Sequence, residues 1–426
     1  MTRATSTCRY PRPDMATPAD QHFSAPSRIR LAAAFAFVAA VIAVAGCGNA
    51  PAPMATPNVD IAPPDVPLPP PPDLTNDPAH PLAGVRNYAV EFVDPANPAQ
   101  IAALCAAPYD LIVIEPARVI PPTDHAVAQK ENRALVQRLQ QSPGATRGRK
   151  LVFAYINLAE ADAMRWYWAW TRDWEAPAPR PADLPKWILG PESEGYEDLY
   201  AVAPWAPPWK ALVYPQPGGD PASATAPTLC GDAIAAGYDG LWFDGLDADE
   251  DLRVVAAAMA AGGTATDAAN ALDHIAAGAI TWSRAQKPGL PIVLENAVTL
   301  SVAHPDLVAA ADGLAVEGLW YGAAPGGEPD LWGDPRGHDQ PTPPDDRAAA
   351  FAAMVPWRHA GKPVFLLEYT VDRAAAVYAA AAKFGFIAYC SERALSQLTS
   401  TPFLLGEPQQ AAPPTNAPPA LPPGNK

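Results

Sequence analysis

A chain of 426 residues, 49% hydrophobic and 17% charged, can bury a large core. Its formal charge of −16 argues against nucleic acid and anionic surfaces as partners. The 54 prolines crowd into residues 51–81, 176–227 and the tail from Pro408 onward; these stretches cannot all be regular structure, because proline lacks the amide donor that helices and sheets need.

The amino terminus reads as an export signal. Arg28 and Arg30 precede an apolar run from Leu31 to Ala45 that ends in Val44-Ala45-Gly46-Cys47. The run is short for a membrane span of ~20 residues and suits a signal-peptide core. Its ending resembles a lipobox, in which small residues admit a signal peptidase and the Cys47 thiol takes the lipid; a plain secretory signal that happens to contain a cysteine is the alternative. Residues 1–47 are thus expected to be a lipoprotein signal peptide. Met15 offers a second start, which would leave Cys8 outside the product. Removing five Arg and two Asp with this segment leaves 24 basic against 43 acidic residues, a charge of −19. Such a balance suits a cationic substrate, and it equally suits solubility alone.

Residues 48–80, with the run Pro69-Pro70-Pro71-Pro72, read as a disordered polyproline II tether. Residues 406–426 share that composition and read as a disordered tail. Beyond the anchor remain Cys105, Cys230 and Cys390, at most one disulfide and one thiol, with the pairing open. There is no Cys-x-x-Cys pair, so a structural zinc site is not expected; no other metal and no cofactor is expected either.

Between tether and tail, residues 81–405 alternate short apolar strands with helical stretches, the rhythm of a parallel sheet wound with helices. The expected strands are Val85–Val93, Tyr109–Glu115, Lys150–Asn157, Tyr238–Asp244, Leu290–Asn296, Asp312–Glu317, Lys362–Tyr369 and Phe384–Tyr389. Helices are expected at Ala126–Gln140, Leu252–Ala261, Ala265–Trp282 and Asp372–Lys383. Eight strands with crossovers predict an α/β fold of the (β/α)8 TIM-barrel kind. One connection is anomalous. Some eighty residues, Leu158 to Gly237, follow the third strand and hold Trp166, Trp168, Trp170, Trp174, Trp187, Trp205 and Trp209. Indoles on the loop face of a barrel can stack on sugar rings, whereas about half of them are expected to fill a local core.

Side chains at the carboxyl ends of barrel strands point into the mouth. Glu115, Asp244, Asp247, Glu295, Glu317 and Glu368 all fall at or just past such ends. Buried acids are costly unless paired or used, and two acids facing across a cleft are what glycosidic cleavage needs. No Gly-x-Ser-x-Gly elbow, phosphate-binding loop or dinucleotide fingerprint is present, and none of the seven His sits at an expected strand end.

Several blocks then carry a resemblance. Gly237-Tyr238-Asp239-Gly240-Leu241-Trp242-Phe243-Asp244-Gly245-Leu246-Asp247 resembles the strand-four signature of glycoside hydrolase family 114 and its bacterial relatives. Ala154-Tyr155-Ile156-Asn157-Leu158-Ala159-Glu160, leading into Arg165 and Trp168, is similar to that family's third-strand block; Glu295-Asn296 resembles its fifth, Asp312 to Glu317 its sixth, and Phe384 to Tyr389 with Arg393 and Leu395 its last. The resemblance spans residues 84–398, and it implies endo-cleavage of α-1,4-linked galactosamine polymers with Asp244 and Glu317 as the paired acids. Strand parity agrees, since counting back by twos from Asp244 gives Trp242 and Gly240 and turns Asp239 to the other face as a structural pair.

Asp244 is assigned as nucleophile or stabilising carboxylate and Glu317 as general acid. Tyr155, Glu160, Trp168, Trp242, Asn296 and Glu368 are the expected substrate-binding residues, together with Asp247, which would bind an amino group or cap the following helix. Glu115 and Glu368 are reserve acids, although the family often has Asp where Glu115 stands. Tyr321–Pro344 aligns with no family block. The expected partners are a polysaccharide and, through the anchor, a membrane, for an enzyme in the periplasm or at the cell surface. A non-catalytic glycan-binding lipoprotein and a hydrolase of another linkage are the alternatives.

Overall fold

The computed structural model describes residues 68–398 apart from 75–76, 93–96, 117–124, 173, 175–177, 192–197, 217–225, 324–339, 372 and 396–397. The expected signal peptide with Cys47, most of the expected tether, the tail at 406–426 and much of the stretch Tyr321–Pro344 lie outside the described residues.

From the amino end, β1 (Tyr88–Glu91) leads through α1 (Pro98–Ala106) to β2 (Leu111–Ile114), and α2 (His125–Gln140) brings the chain to β3 (Leu151–Asn157). An excursion follows, holding β4 (Glu160–Asp162), β5 (Ile188–Pro191), β6 (Leu199–Val202), α3 (Pro207–Val213) and α4 (Leu229–Ala236). Next come β7 (Gly240–Asp244), a 3-10 turn at Ala248–Glu250, α5 (Leu252–Ala260) and α6 (Ala265–Gln286). β8 (Ile292–Glu295), α7 (Val298–Ala303), α8 (Asp306–Ala310) and β9 (Gly313–Glu317) complete the middle of the chain. The two-residue strands β10 (Tyr321–Gly322) and β11 (Gln340–Pro341) precede α9 (Pro344–His359), β12 (Val364–Tyr369), α10 (Ala374–Phe384) and β13 (Ile387–Ser391).

The main sheet has the order β1-β2-β3-β7-β8-β9-β12-β13, and each of these neighbours pairs in parallel. Its two edges meet: the Phe92 amide donates to the Leu395 carbonyl at 2.9 Å, and the rings of Tyr88 and Tyr389 lie edge to face at 6.0 Å. The fold is the expected (β/α)8 barrel.

Local chemistry sets the element ends. Thr264 and Asp267 exchange hydrogen bonds in a capping box that starts α6. Thr228 caps the amino end of α4, and Gly237, left-handed at φ 94°, ends it just before β7. The last strand begins later than the sequence suggests, because Phe384 still belongs to α10 and Gly385 stops that helix at φ 66°. The inside of the barrel is aromatic. Tyr88 stacks on Trp242 at 5.5 Å and meets Phe365 edge-on at 5.0 Å. Phe153 fills the space over Gly240, where a Cβ would come within 2.3 Å of its ring.

The proline-rich stretch is not free along its whole length. Leu74 is buried, its carbonyl accepts from the Gly84 amide, and Pro71 packs against Gly385. The tether expected over 48–80 thus gives way to barrel-packed chain before residue 80. Among the described residues no helix is long and apolar enough to cross a membrane. Cys105, Cys230 and Cys390 are free thiols.

Candidate active site

The excursion after β3 folds into a three-stranded antiparallel sheet, β4-β6-β5, laid beside the mouth. Its tryptophans bind one another. Trp168 stacks on Tyr200 at 4.8 Å and meets Trp170 edge-on; Trp170 meets Trp187, which leans on Trp209. Trp168 and Trp209 are buried, and the Trp168 indole N–H donates to the Trp170 carbonyl at 3.0 Å. Trp168 is therefore a core residue of the excursion, not the substrate-binding surface expected of it: a buried indole stacked on Tyr200 offers no exposed face to a sugar.

At the mouth, three strand ends converge by the same device. Asp244 ends β7 and is followed by Gly245 at φ 77°; Glu317 ends β9 and is followed by Gly318 at φ 60°; Glu295 ends β8 and is followed by Asn296 at φ 59°. Each left-handed residue turns the chain out of the barrel just after it has delivered its acid. Gly245 has a second constraint, since a Cβ there would stand 2.3 Å from Asn157 Oδ1. Asparagine tolerates the left-handed region better than other non-glycine residues.

Asn296 is the centre of the site. Its Oδ1 accepts from the Glu317 backbone amide at 3.2 Å, which fixes the amide's orientation, because the other face must then carry the NH2 group. Nδ2 donates to Glu317 Oε2 at 2.6 Å and reaches Asp244 Oδ1 at 3.3 Å. One amide thus bridges both expected acids. Tyr155 donates to Asp244 Oδ2 at 2.5 Å, a length typical of a hydroxyl bound to a charged oxygen. Tyr369 donates to Glu317 Oε1. Phe92 supports Tyr155 edge-on at 5.3 Å. Asp244 is 2% and Glu317 6% exposed, so each oxygen of this pair acts in a largely dry environment.

Around this centre the other expected residues divide. Asn157 ends β3, accepts the amides of Ala159 and Glu160 on Oδ1, and donates to Glu160 Oε2 at 2.8 Å. This holds the half-buried Glu160 at the rim. Asp247 makes no side-chain cap to the 3-10 turn that follows it; Asp251 caps α5 instead. The capping alternative for Asp247 is thereby overturned. Trp242 is fully buried and donates to Glu295 Oε2 at 2.8 Å, which corrects its expected contact with substrate. It and Glu295 form the floor beneath the acids. Glu115 pairs with Arg165 at 2.7 Å, and Arg165 also reaches Asp162 at 3.3 Å; this acid anchors the excursion to β2.

Glu368 is not a reserve acid. Parity along β12 turns Phe365, Leu367 and Tyr369 inward and Glu368 outward, where it accepts the amides of Trp320 and Tyr321 at 3.1 and 2.8 Å. It therefore holds the loop behind Glu317 in place. Burial pushes its carboxyl up to about 8, against the pull of those amides. Such a group binds its proton more tightly when folded, so its contribution is most favourable below pH ~4.5 and is lost as pH rises to ~8. Each pH unit in that window costs at most ~1.4 kcal/mol per group. Glu91, raised to about 7 by burial, acts in the same direction. Glu368→Gln is expected to flatten the fall of the urea midpoint between pH ~4.5 and ~8; an unchanged slope would place that titration elsewhere.

Sequence reasoning missed Tyr369. The signal was present: it shares the inward parity of Phe365 and Leu367, but the neighbouring acid drew the choice.

No family model matches the chain. An uncharacterized protein of Deinococcus radiodurans is 26% identical over 339 residues, covering 78% of this chain and 87% of that protein. An uncharacterized protein of Methanocaldococcus jannaschii is 37% identical over 65 residues, 15% of this chain and 16% of that protein. Among solved structures, the glycoside hydrolase domain of PelA from Pseudomonas aeruginosa is similar at 20% identity and a TM-score of 0.46, covering 74% of this chain and 98% of that one.

Proposed function

We propose that this protein is an exported glycoside hydrolase, anchored by lipid at Cys47, that cleaves an amino-sugar polysaccharide internally at α-1,4-linked galactosamine. The observation that carries the reading is the Asn296 amide shared by Asp244 and Glu317. Two acids held by one donor at a barrel mouth form a matched pair, and a glycan-binding module needs no such matching. In this reading Asp244 attacks the anomeric carbon while Glu317 delivers its proton to the leaving oxygen; a water then breaks the glycosyl ester with Glu317 as base.

The closeness of the two nearest oxygens is compatible with a retaining course. The two oxygens that share Asn296 Nδ2 stand 3.3 and 2.6 Å from it, so they lie at most about 6 Å apart. Retaining pairs stand ~5–5.5 Å apart, and inverting pairs need ~6.5–9.5 Å to admit water. Tyr369 serves both halves of the cycle, because a phenol can donate to the ionised Glu317 and accept from the protonated one.

The purified full chain is expected to release oligosaccharides from partly deacetylated α-1,4-galactosamine polymer, with α-configured new reducing ends in proton NMR spectra taken before mutarotation. Release of β-configured ends would refute the retaining course. No release from this or any other amino-sugar polymer would refute the hydrolase reading.

A further inference from the structure

Outside the acid pair, a second cluster of metal-ligating side chains lies on the helical layer. Asp273 stands in the middle of α6, His304 follows the end of α7 and Asp306 opens α8. One ligand atom from each of the three lies within 4.8 Å of the others. His304 Nδ1 and Asp273 Oδ2 are 3.6 Å apart, too far for a hydrogen bond. Two ligands bound at ~2.0–2.1 Å to one tetrahedral ion stand roughly 3.3–3.4 Å apart, close to that separation.

A second observation points into the same place. Asp273 is 8% exposed, and its Oδ1 is shut off from solvent without a hydrogen-bond partner. Asp249, in the 3-10 turn that packs on α6, also has a buried Oδ1 without one. Buried carboxylate oxygens are ordinarily satisfied. With the His304 imidazole, the Asp273 carboxylate offers the mixed nitrogen and oxygen donors that a transition-metal cation prefers.

We propose that Asp273, His304 and Asp306 form a binding site for one divalent transition-metal ion, with Asp249 at its edge. The ion would tie α6 to the α7–α8 turn. Because α7 begins two residues after Asn296, it would also steady the loop that carries the bridging amide. The site uses neither Asp244 nor Glu317 and stands whether or not the protein cleaves glycans.

The test uses the full chain stripped with a chelator and titrated with Zn²⁺, and separately with Mn²⁺, by calorimetry, with thermal unfolding followed in parallel. One equivalent is expected to bind and to raise the melting temperature. Asp273→Asn, close to isosteric, and His304→Ala are each expected to weaken binding about tenfold or more while the circular dichroism stays native. If His304→Ala fails to fold, Asp273→Asn decides. A wild-type chain that takes up no stoichiometric metal would overturn the proposal and leave an ordinary His–Asp contact. So would variants that bind like wild type, which would put the metal elsewhere, for instance on the free thiols.

Discussion

Asp244→Asn and Glu317→Gln are each expected to cut polymer cleavage at least about a hundredfold, and to fail in different ways. Glu317→Gln removes the proton donor, and general acid catalysis is worth ~10²–10⁴ in rate; it should cost least on substrates whose leaving group needs no proton. An oligosaccharide carrying an activated aryl group should therefore regain a fast first step with this variant. Added azide should then speed turnover, because it attacks the glycosyl ester without a general base. Asp244→Asn removes the atom that forms the covalent bond, so an aryl group alone should not restore it, and any glycosyl azide formed should have inverted configuration. Both changes keep the side-chain volume, and the Asn296 bridge can re-form with an amide oxygen, so melting temperatures should stay near wild type. If azide rescues Asp244→Asn with a glycosyl azide of retained configuration instead, the two roles are reversed. If both variants keep full activity, the acids are structural.

Which side chains of β7 share a face is legible in the sequence because strand parity is a short-range property. Trp242 and Asp244 share a face whatever surrounds them, and Asp239 takes the other, where it accepts from Arg149 at 2.8 Å and from the Val152 amide at 3.0 Å. The eight strands were legible for the same reason: buried parallel strands read as apolar runs, and the turns between them carry Gly and Pro. Whether a large side chain lines a cleft or fills a core was not legible. Trp168 and Trp242 occupy the expected strand and loop, yet both are enclosed by partners distant in the chain, Tyr200 for one and Tyr88 for the other. At the end of β12 two polar residues are adjacent, and parity from Phe365 and Leu367 turns Tyr369, not Glu368, inward. The His304 cluster gives little signal in the sequence, since His304 and Asp306 lie two residues apart but Asp273 comes from α6, some thirty residues earlier.

Asn296 offers the sharpest trial of the site as a unit. Asn296→Asp keeps the shape and one acceptor for the Glu317 amide, but it turns the shared donor into a third acceptor facing Asp244 and Glu317. Like charges ~4 Å apart repel by about 4 kcal/mol at an effective dielectric of 20, and all three groups are largely buried. The expected result is a loss of a hundredfold or more in kcat at neutral pH, with a drop in stability that Asn296→Ala only partly shares. Protonating the new carboxyl restores one hydrogen-bond donor, so activity and melting temperature of Asn296→Asp should recover in part as pH falls. Asn296→Ala removes the amide without adding charge and places alanine at φ 59°, a conformation it adopts at a cost of roughly 1–2 kcal/mol. Its deficit should therefore not diminish at low pH. Parallel pH profiles for the two variants would show that Asn296 acts as a backbone turn alone; profiles that diverge toward acid would show that its amide proton holds the two carboxylates together.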